Sequence, residues 1–274
     1  MNYKTMLMAS AAVLFASQAM AQDLTGAFSV PGKGQIMSDT SVAMGRQKYE
    51  VKGAWSEAYD SLVAGEVLEY GITDKFSVNA GISNTFDVEG EYNNDHNFTY
   101  NVGAKYNTRF NDVLFQVAGR YNTLDPKSWY GKKERAKYGL ELNDRWTKSL
   151  GLDLKAGLDL GNGITPYIVY SIDSEIDQAD RALFQSVSLG IHKYAGKWAL
   201  DGAVRYDWEK HNKWGAKNDT ATWLDAEADY YLKDNVALGV YGSYLLDAHD
   251  QKVNGWTYHV NRAHEVGLRV KVLF

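Results

Sequence analysis

The sequence predicts an all-β fold, a transmembrane antiparallel up-and-down β-barrel of twelve strands, with fourteen as the alternative. Three observations point there. Apolar and polar residues alternate with a period of two over stretches of about ten residues or more. Aromatic rings fall at the ends of the apolar faces, and short turns alternate with longer polar connections. The composition fits the same architecture: of 274 residues, 45% are hydrophobic and 13% aromatic, yet the mean hydropathy is polar at −0.40. Alternation reconciles these figures, because every second side chain can face lipid while the average stays polar. With no Cys, a disulfide scaffold, a thiol nucleophile and a Cys-ligated metal centre are excluded. A net charge of −5 offers no basic face for nucleic acid.

The elements follow in chain order. Lys4, the apolar stretch from Met6 to Phe15 and the small-x-small site Ala19-Met20-Ala21 predict a cleaved export signal over 1–21. Residues 22–39 are expected to precede the barrel, and 40–274 to form it. Phe76, Val78, Ala80 and Ile82 alternate with Ser77, Asn79, Gly81 and Ser83. Phe98, Tyr100, Val102, Ala104 and Tyr106 alternate with Thr99, Asn101, Gly103, Lys105 and Asn107. Trp198 and Trp208 sit at the two ends of another such face, where a membrane barrel places its interfacial girdles.

Short turns are expected at Thr73-Asp74-Lys75, Phe110-Asn111-Asp112, Gly161-Asn162-Gly163, Ala195-Gly196 and Lys233-Asp234-Asn235. Longer polar connections run around 52–60, 87–96, 122–149, 173–181, 210–220 and 247–255. One region resists the count of twelve. Tyr138, Leu140 and Leu142 read either as a surface extension of the strand at 150–160 or as part of a long loop over or into the pore. Trp256, Tyr258 and Val260 are expected to extend the last strand in phase. A fourteen-strand barrel would recruit Leu24 to Val30 and break the regular order of turns and loops.

The chain closes on Val266, Leu268, Val270, Val272 and Phe274, an alternating strand with an aromatic terminal residue. With this strand the sequence resembles the outer-membrane β-barrel proteins of Gram-negative bacteria, among them the small monomeric porins. The resemblance covers nearly the whole chain after the signal and implies an architecture. It implies that Phe274 is read as an assembly signal by the barrel assembly machinery, that the short turns and the 22–39 segment are periplasmic, and that the long loops are extracellular. Outer-membrane lipid and lipopolysaccharide are implied as surroundings, reached by export through the periplasm.

Function then rests on the inward face. Its small and polar residues predict a wet lumen, because a sealed core would favour bulky apolar side chains. Asp225, Glu227 and Asp229 occupy alternate positions of one strand, and Asp201, Arg205 and Asp207 lie on its neighbour. Lys105, Arg120, Arg269 and Lys271 are expected to face the same interior. If acids and bases form separate walls, they place a transverse field across a pore that passes ions and small hydrophilic solutes. If they pair across strands, they brace the wall. The connection 122–149 is basic, and Lys127, Lys132, Lys133 and Arg135 make it a candidate lid.

Competing functions have weaker support. An adhesin or structural barrel would use Trp55, Trp129, Tyr130 and Trp214 in its loops. A barrel hydrolase is possible at the level of fold, but no G-x-S-x-G or H-E-x-x-H motif occurs. His96, His192, His211, His249, His259 and His264 are mostly placed in or near loops, which gives no metal set. The expectation is a non-enzymatic monomer without cofactor or metal.

Overall fold

The computed structural model describes residues 28–51, 55–89, 96–126, 147–176, 182–211, 219–249, 251–253 and 256–274. The strands are β1 (Ile36–Val51), β2 (Trp55–Thr73), β3 (Phe76–Glu89), β4 (His96–Phe110), β5 (Val113–Pro126), β6 (Thr147–Leu158) and β7 (Ile164–Glu175). They continue as β8 (Ala182–Ala195), β9 (Trp198–His211), β10 (Asp219–Lys233), β11 (Val236–Ala248), β12 (Gln251–Val253) and β13 (Trp256–Leu273). Each long strand pairs antiparallel with the next, and β1 pairs with β13 from Met37↔Leu273 to Val51↔Tyr258. The barrel is therefore closed by twelve long strands. The three-residue β12 only caps the outer end of β13 through Val253↔Trp256. Among the described residues no strand precedes β1, so the fourteen-strand alternative is not realised.

Alternation dictates which face each side chain takes. Val102, Leu150, Leu189, Val266 and Leu268 project outward with more than half of their surface exposed, and form part of a continuous apolar belt. Such a surface is stable only against hydrocarbon, which places the barrel in a membrane. On β9, Trp198 and Trp208 mark the two edges of the belt. Trp198 packs on Tyr230 with ring centroids 4.9 Å apart, and Trp208 lies 5.8 Å from Tyr206. The ten residue steps between them, at about 3.3 Å each and tilted by about 40°, span roughly the 25 Å of an apolar band. One polar notch interrupts the belt. Glu66 faces outward opposite Thr40, and its carboxylate accepts from Ser38 Oγ at 2.6 Å and Thr40 Oγ1 at 2.5 Å.

Three sequence expectations need correction. β1 begins at Ile36, four residues before the boundary expected at 40. The polar stretch 52–60 is mostly strand, since β2 starts at Trp55 and continues the ladder with Val51↔Trp55. Its polarity follows from position: a hairpin projecting beyond the bilayer has no lipid-facing side to keep apolar. The end of β13 also fails to hold one phase, because the register shifts where Tyr49↔Val260 meets Lys48↔Arg262, and Val260 lines the interior. The segment holding Tyr138, Leu140 and Leu142 lies outside the described residues.

The turns explain themselves locally. Asn111 and Asn162 adopt φ of 54° and 52°, a region that Asn tolerates better than most residues. In the β6–β7 turn, the Gly161 N–H donates to Asp159 Oδ1 at 2.9 Å, and Arg109 Nη1 stands 2.9 Å from Oδ2. The backbone donor first, and the guanidinium second, hold this carboxyl below its usual range. Its contribution to stability is complete above the ordinary carboxylate range and is lost as pH falls through the lowered value. Gly163 has φ of 68°, and an added Cβ would stand 2.4 Å from the Tyr194 carbonyl oxygen. Gly163→Ala is therefore expected to destabilise the barrel by about 2 kcal/mol in urea unfolding from vesicles. A change below roughly 0.5 kcal/mol would show that the turn relaxes freely.

Candidate pore and its charged lining

The inward face is built from the polar half of each alternation, and among the described residues it encloses at least two cavities. A larger one of about 780 Å³ lies toward the long connections, lined by Arg120, Asp153, Asp173, Arg205, Asp207 and Trp223 among others. A smaller one of about 310 Å³ lies toward the short turns, lined by Asp39, Lys105, Lys155, Asp201, Glu227, Asp229, Arg269 and Lys271. The two have no lining residue in common. Between them Arg205 Nη1 stands 3.2 Å from Asp225, which also accepts from Ser243 Oγ at 2.6 Å.

All ten charged residues singled out from the sequence face this interior, but they do not form separate walls. Arg269 donates from Nε and Nη2 to the two oxygens of Asp229, both at 2.8 Å, and from Nη2 to Glu227 at 2.6 Å. Lys271 adds a bond to Asp229 at 2.9 Å. Lys105 pairs with Glu69 at 2.6 Å, and Ser77 Oγ donates to the other Glu69 oxygen at 2.5 Å. Arg120 pairs with Asp153 and, at 3.2 Å, with Asp173. Arg205 lies 3.1 Å from Asp207. The expected transverse field is thus replaced by a mesh of cross-strand ion pairs. Opposite charges in a confined lumen neutralise one another locally because leaving either alone is costly.

Glycines make two of these bridges possible. Gly239 is the direct ladder partner of both Asp229 on β10 and Arg269 on β13. A Cβ there would meet Asp229 Oδ1 at 1.9 Å and Arg269 Cγ at 2.9 Å. Acid and base therefore meet over the intervening strand β11. Gly151 on β6 plays the same part between Arg120 and Asp173.

Several luminal groups were not singled out in the sequence. His192, placed with the loop histidines, is buried on β8, and its Nδ1 stands 3.4 Å from Asp201. The Tyr167 hydroxyl donates to the same carboxylate. Lys155 Nζ sits 4.2 Å from the centre of the Tyr167 ring. Parity on β6 and β8 would have placed Lys155 and His192 inward.

The stretch before β1 is also luminal in part. Gly32 to Gln35 form a turn in which the Gln35 N–H bonds the Gly32 carbonyl at 2.9 Å, with Gly34 at φ 81°. This turns residues 28–31 back into the mouth at the short-turn end. Phe28 is buried there, its carbonyl accepts from Asn107 Nδ2, and Lys155 Nζ lies 4.8 Å from its ring centre. Gly71 and Gly157 leave the room. A Cβ on Gly71 would stand 2.1 Å from the Gly32 oxygen, and one on Gly157 would stand 2.6 Å from the Phe28 ring. The segment expected as periplasmic over 22–39 therefore divides: 28–35 turn at and into the mouth, 36–39 belong to β1, and 22–27, like the expected signal over 1–21, lie outside the described residues.

Phe274, expected as an assembly signal, closes the seam at this same end, exchanging backbone hydrogen bonds of 3.1 and 2.8 Å with Ile36. The expected lid residues Lys127, Lys132, Lys133 and Arg135, and the loop aromatics Trp129, Tyr130 and Trp214, lie outside the described residues.

Neither a protein-family model nor a curated protein matches the chain. Among solved structures, it is similar to an outer membrane channel from Pseudomonas putida F1, with a TM-score of 0.61 and 12% identity over 91% of this chain and 98% of that one. LpxR from Salmonella typhimurium aligns with a TM-score of 0.47 and 8% identity over 84% of this chain and 99% of that one. The first likeness establishes the fold, that of an outer-membrane β-barrel. The second is too loose to bear on function.

Proposed function

We propose that this barrel is a passive channel for ions and small hydrophilic solutes, with a preference for cations. The observation that carries the reading is the lumen itself, where a charged and hydrogen-bonding wall leaves open cavities of about 780 and 310 Å³ instead of filling the interior. Solutes exchange part of their hydration shell for this wall. Among the described luminal residues carboxylates outnumber cations. Asp39, Glu69, Asp153, Asp173, Asp201, Asp207, Asp225, Glu227, Asp229 and Glu265 stand against Lys105, Arg120, Lys155, Arg205, Arg269 and Lys271. The reading needs no cofactor and no catalytic step. It treats the protein as a monomer, surrounded by outer-membrane lipid and lipopolysaccharide and delivered by the barrel assembly machinery.

The test uses the two carboxylates with the most exposed side chains among those ion-paired to Arg205 and Arg269. Asp207 and Glu227 keep 36% and 44% of their side-chain surface open, so neutralising them disturbs bracing least. The purified barrel should give stable conductance steps in a planar bilayer. Asp207→Asn with Glu227→Gln should move the reversal potential in a salt gradient toward the anion value, by roughly a few-fold in permeability ratio. A silent, folded barrel would sink the channel reading. Binding to cells or glycans without conductance would favour an adhesin, and hydrolysis lost on changing one polar residue would favour an enzyme.

A further inference from the structure

The outward face of the β13–β1 seam carries an arrangement that neither bracing nor conduction explains. Three consecutive outward pairs run along it toward the long connections: Met44↔Val266, Arg46↔His264 and Lys48↔Arg262. The first pair is apolar, and each member has 62% of its surface exposed, as expected against hydrocarbon. The next two place basic groups directly opposite one another, and all four side chains are exposed. Lys48 and Arg262, two cations directly opposite in the ladder, repel, and an anion between them would relieve that repulsion. The acids that face the cluster are few. Asp60 on β2 is opposite Arg46, with 3.5 Å between Arg46 Nε and Oδ1, and Glu50 lies two residues beyond Lys48. Ala58 is the β2 partner of Lys48. No ion pair involves Lys48 or Arg262 among the described residues.

We infer that this patch binds the phosphate-bearing headgroup of a lipid in the leaflet on the loop side of the membrane. Lys48 and Arg262 form the core of the site, and Arg46 and His264 form its membrane-side row. The occupant is fixed by the change along the strands from apolar to cationic, which matches an acyl chain followed by a phosphate. A soluble anion would have no use for Met44, Val266 and the strongly exposed Leu268 beneath it. Placing phosphate between Lys48 and Arg262 converts a repulsive pair into two attractive ones, with Arg supplying a planar fork of donors. The inference rests on the barrel's place in the bilayer and is independent of conduction.

The experiment compares the full barrel with Lys48→Gln/Arg262→Gln by native mass spectrometry from detergent containing diphosphorylated lipid A, with dephosphorylated lipid A and inorganic phosphate as parallel probes. The wild type should retain the phosphorylated lipid, and the double variant should bind it about thirtyfold more weakly, as expected for two basic groups at a membrane surface. Without lipid the variant should melt no lower than the wild type, because a repulsion has been removed, and phosphorylated lipid should raise the melting temperature of the wild type alone. Equal retention by both proteins would overturn the site. Equal protection by inorganic phosphate would overturn the lipid as its occupant.

Discussion

Arg269→Met lowers the stability of the barrel by about 3 kcal/mol, the largest loss expected of any single luminal substitution. The argument is one of pairing under burial. Arg269 and Asp229 have side chains only 11% and 6% exposed, and the guanidinium serves Asp229 through two nitrogens while also holding Glu227. Removing it leaves Asp229 with Lys271 alone and takes the guanidinium from Glu227, on neighbouring inward positions of β10. Two carboxylates then repel in a confined space. Urea unfolding from vesicles, followed by tryptophan emission, measures the loss. Adding Asp229→Asn to Arg269→Met should restore part of it, because the uncompensated charge disappears. A loss below roughly 1 kcal/mol would mean that luminal water screens the pair like a surface bridge.

Conductance should rise by roughly twofold in Gly71→Val, since flow through a narrow pore follows its open section. Gly71 lies on β2 at the short-turn end, and a side chain there would enter the space held by the Pro31 and Gly32 carbonyls, 2.3 and 2.1 Å from the Cβ position. Residues 28–32 must then leave the mouth, taking Phe28 away from Asn107 and Lys155. Ser29, which lines the 310 Å³ cavity, goes with them. Phe28→Ala should produce a smaller increase in the same direction, since the ring goes but the backbone stays. Unchanged conductance in both variants, in proteins that fold normally, would show that the segment does not narrow the path.

Much of this molecule is legible in its sequence, for one physical reason. A strand has a period of two, so a lipid-facing wall writes itself as every second residue. That rule separates Val102 from Lys105 and Leu224 from Asp225, and it brings ten luminal charges to one interior. It fails where the period breaks. The bulge at Leu246, where Trp223 pairs with Leu245 and Thr222 with Asp247, is silent in the sequence because one extra residue carries no composition of its own. It also fails beyond the membrane, where the polar 52–60 stretch hides strand. Parity cannot tell a pore-lining charge from a bracing one, because Asp225 and Glu227 face the same way. Which acid meets which base depends on lateral neighbours up to 53 residues away in the chain. The return of Phe28 into the mouth depended on a turn at Gly34 and on room at two distant glycines.

Those bridges over glycine have a consequence for assembly. Alternation alone detects a slip of one residue between strands, since every side chain would change faces. A slip of two residues restores the faces and passes that test. It does not pass at Gly239, because the position between Asp229 and Arg269 would then be taken by Ala237 or Tyr241, whose side chains fill the gap that the bridge requires. Gly151 imposes the same condition between Arg120 and Asp173, where Ser149 or Asp153 would intrude. Each bridge therefore acts as a proofreading step at twice the spacing that hydrophobic patterning can resolve, and the pair stands on opposite halves of the cylinder as it zips shut.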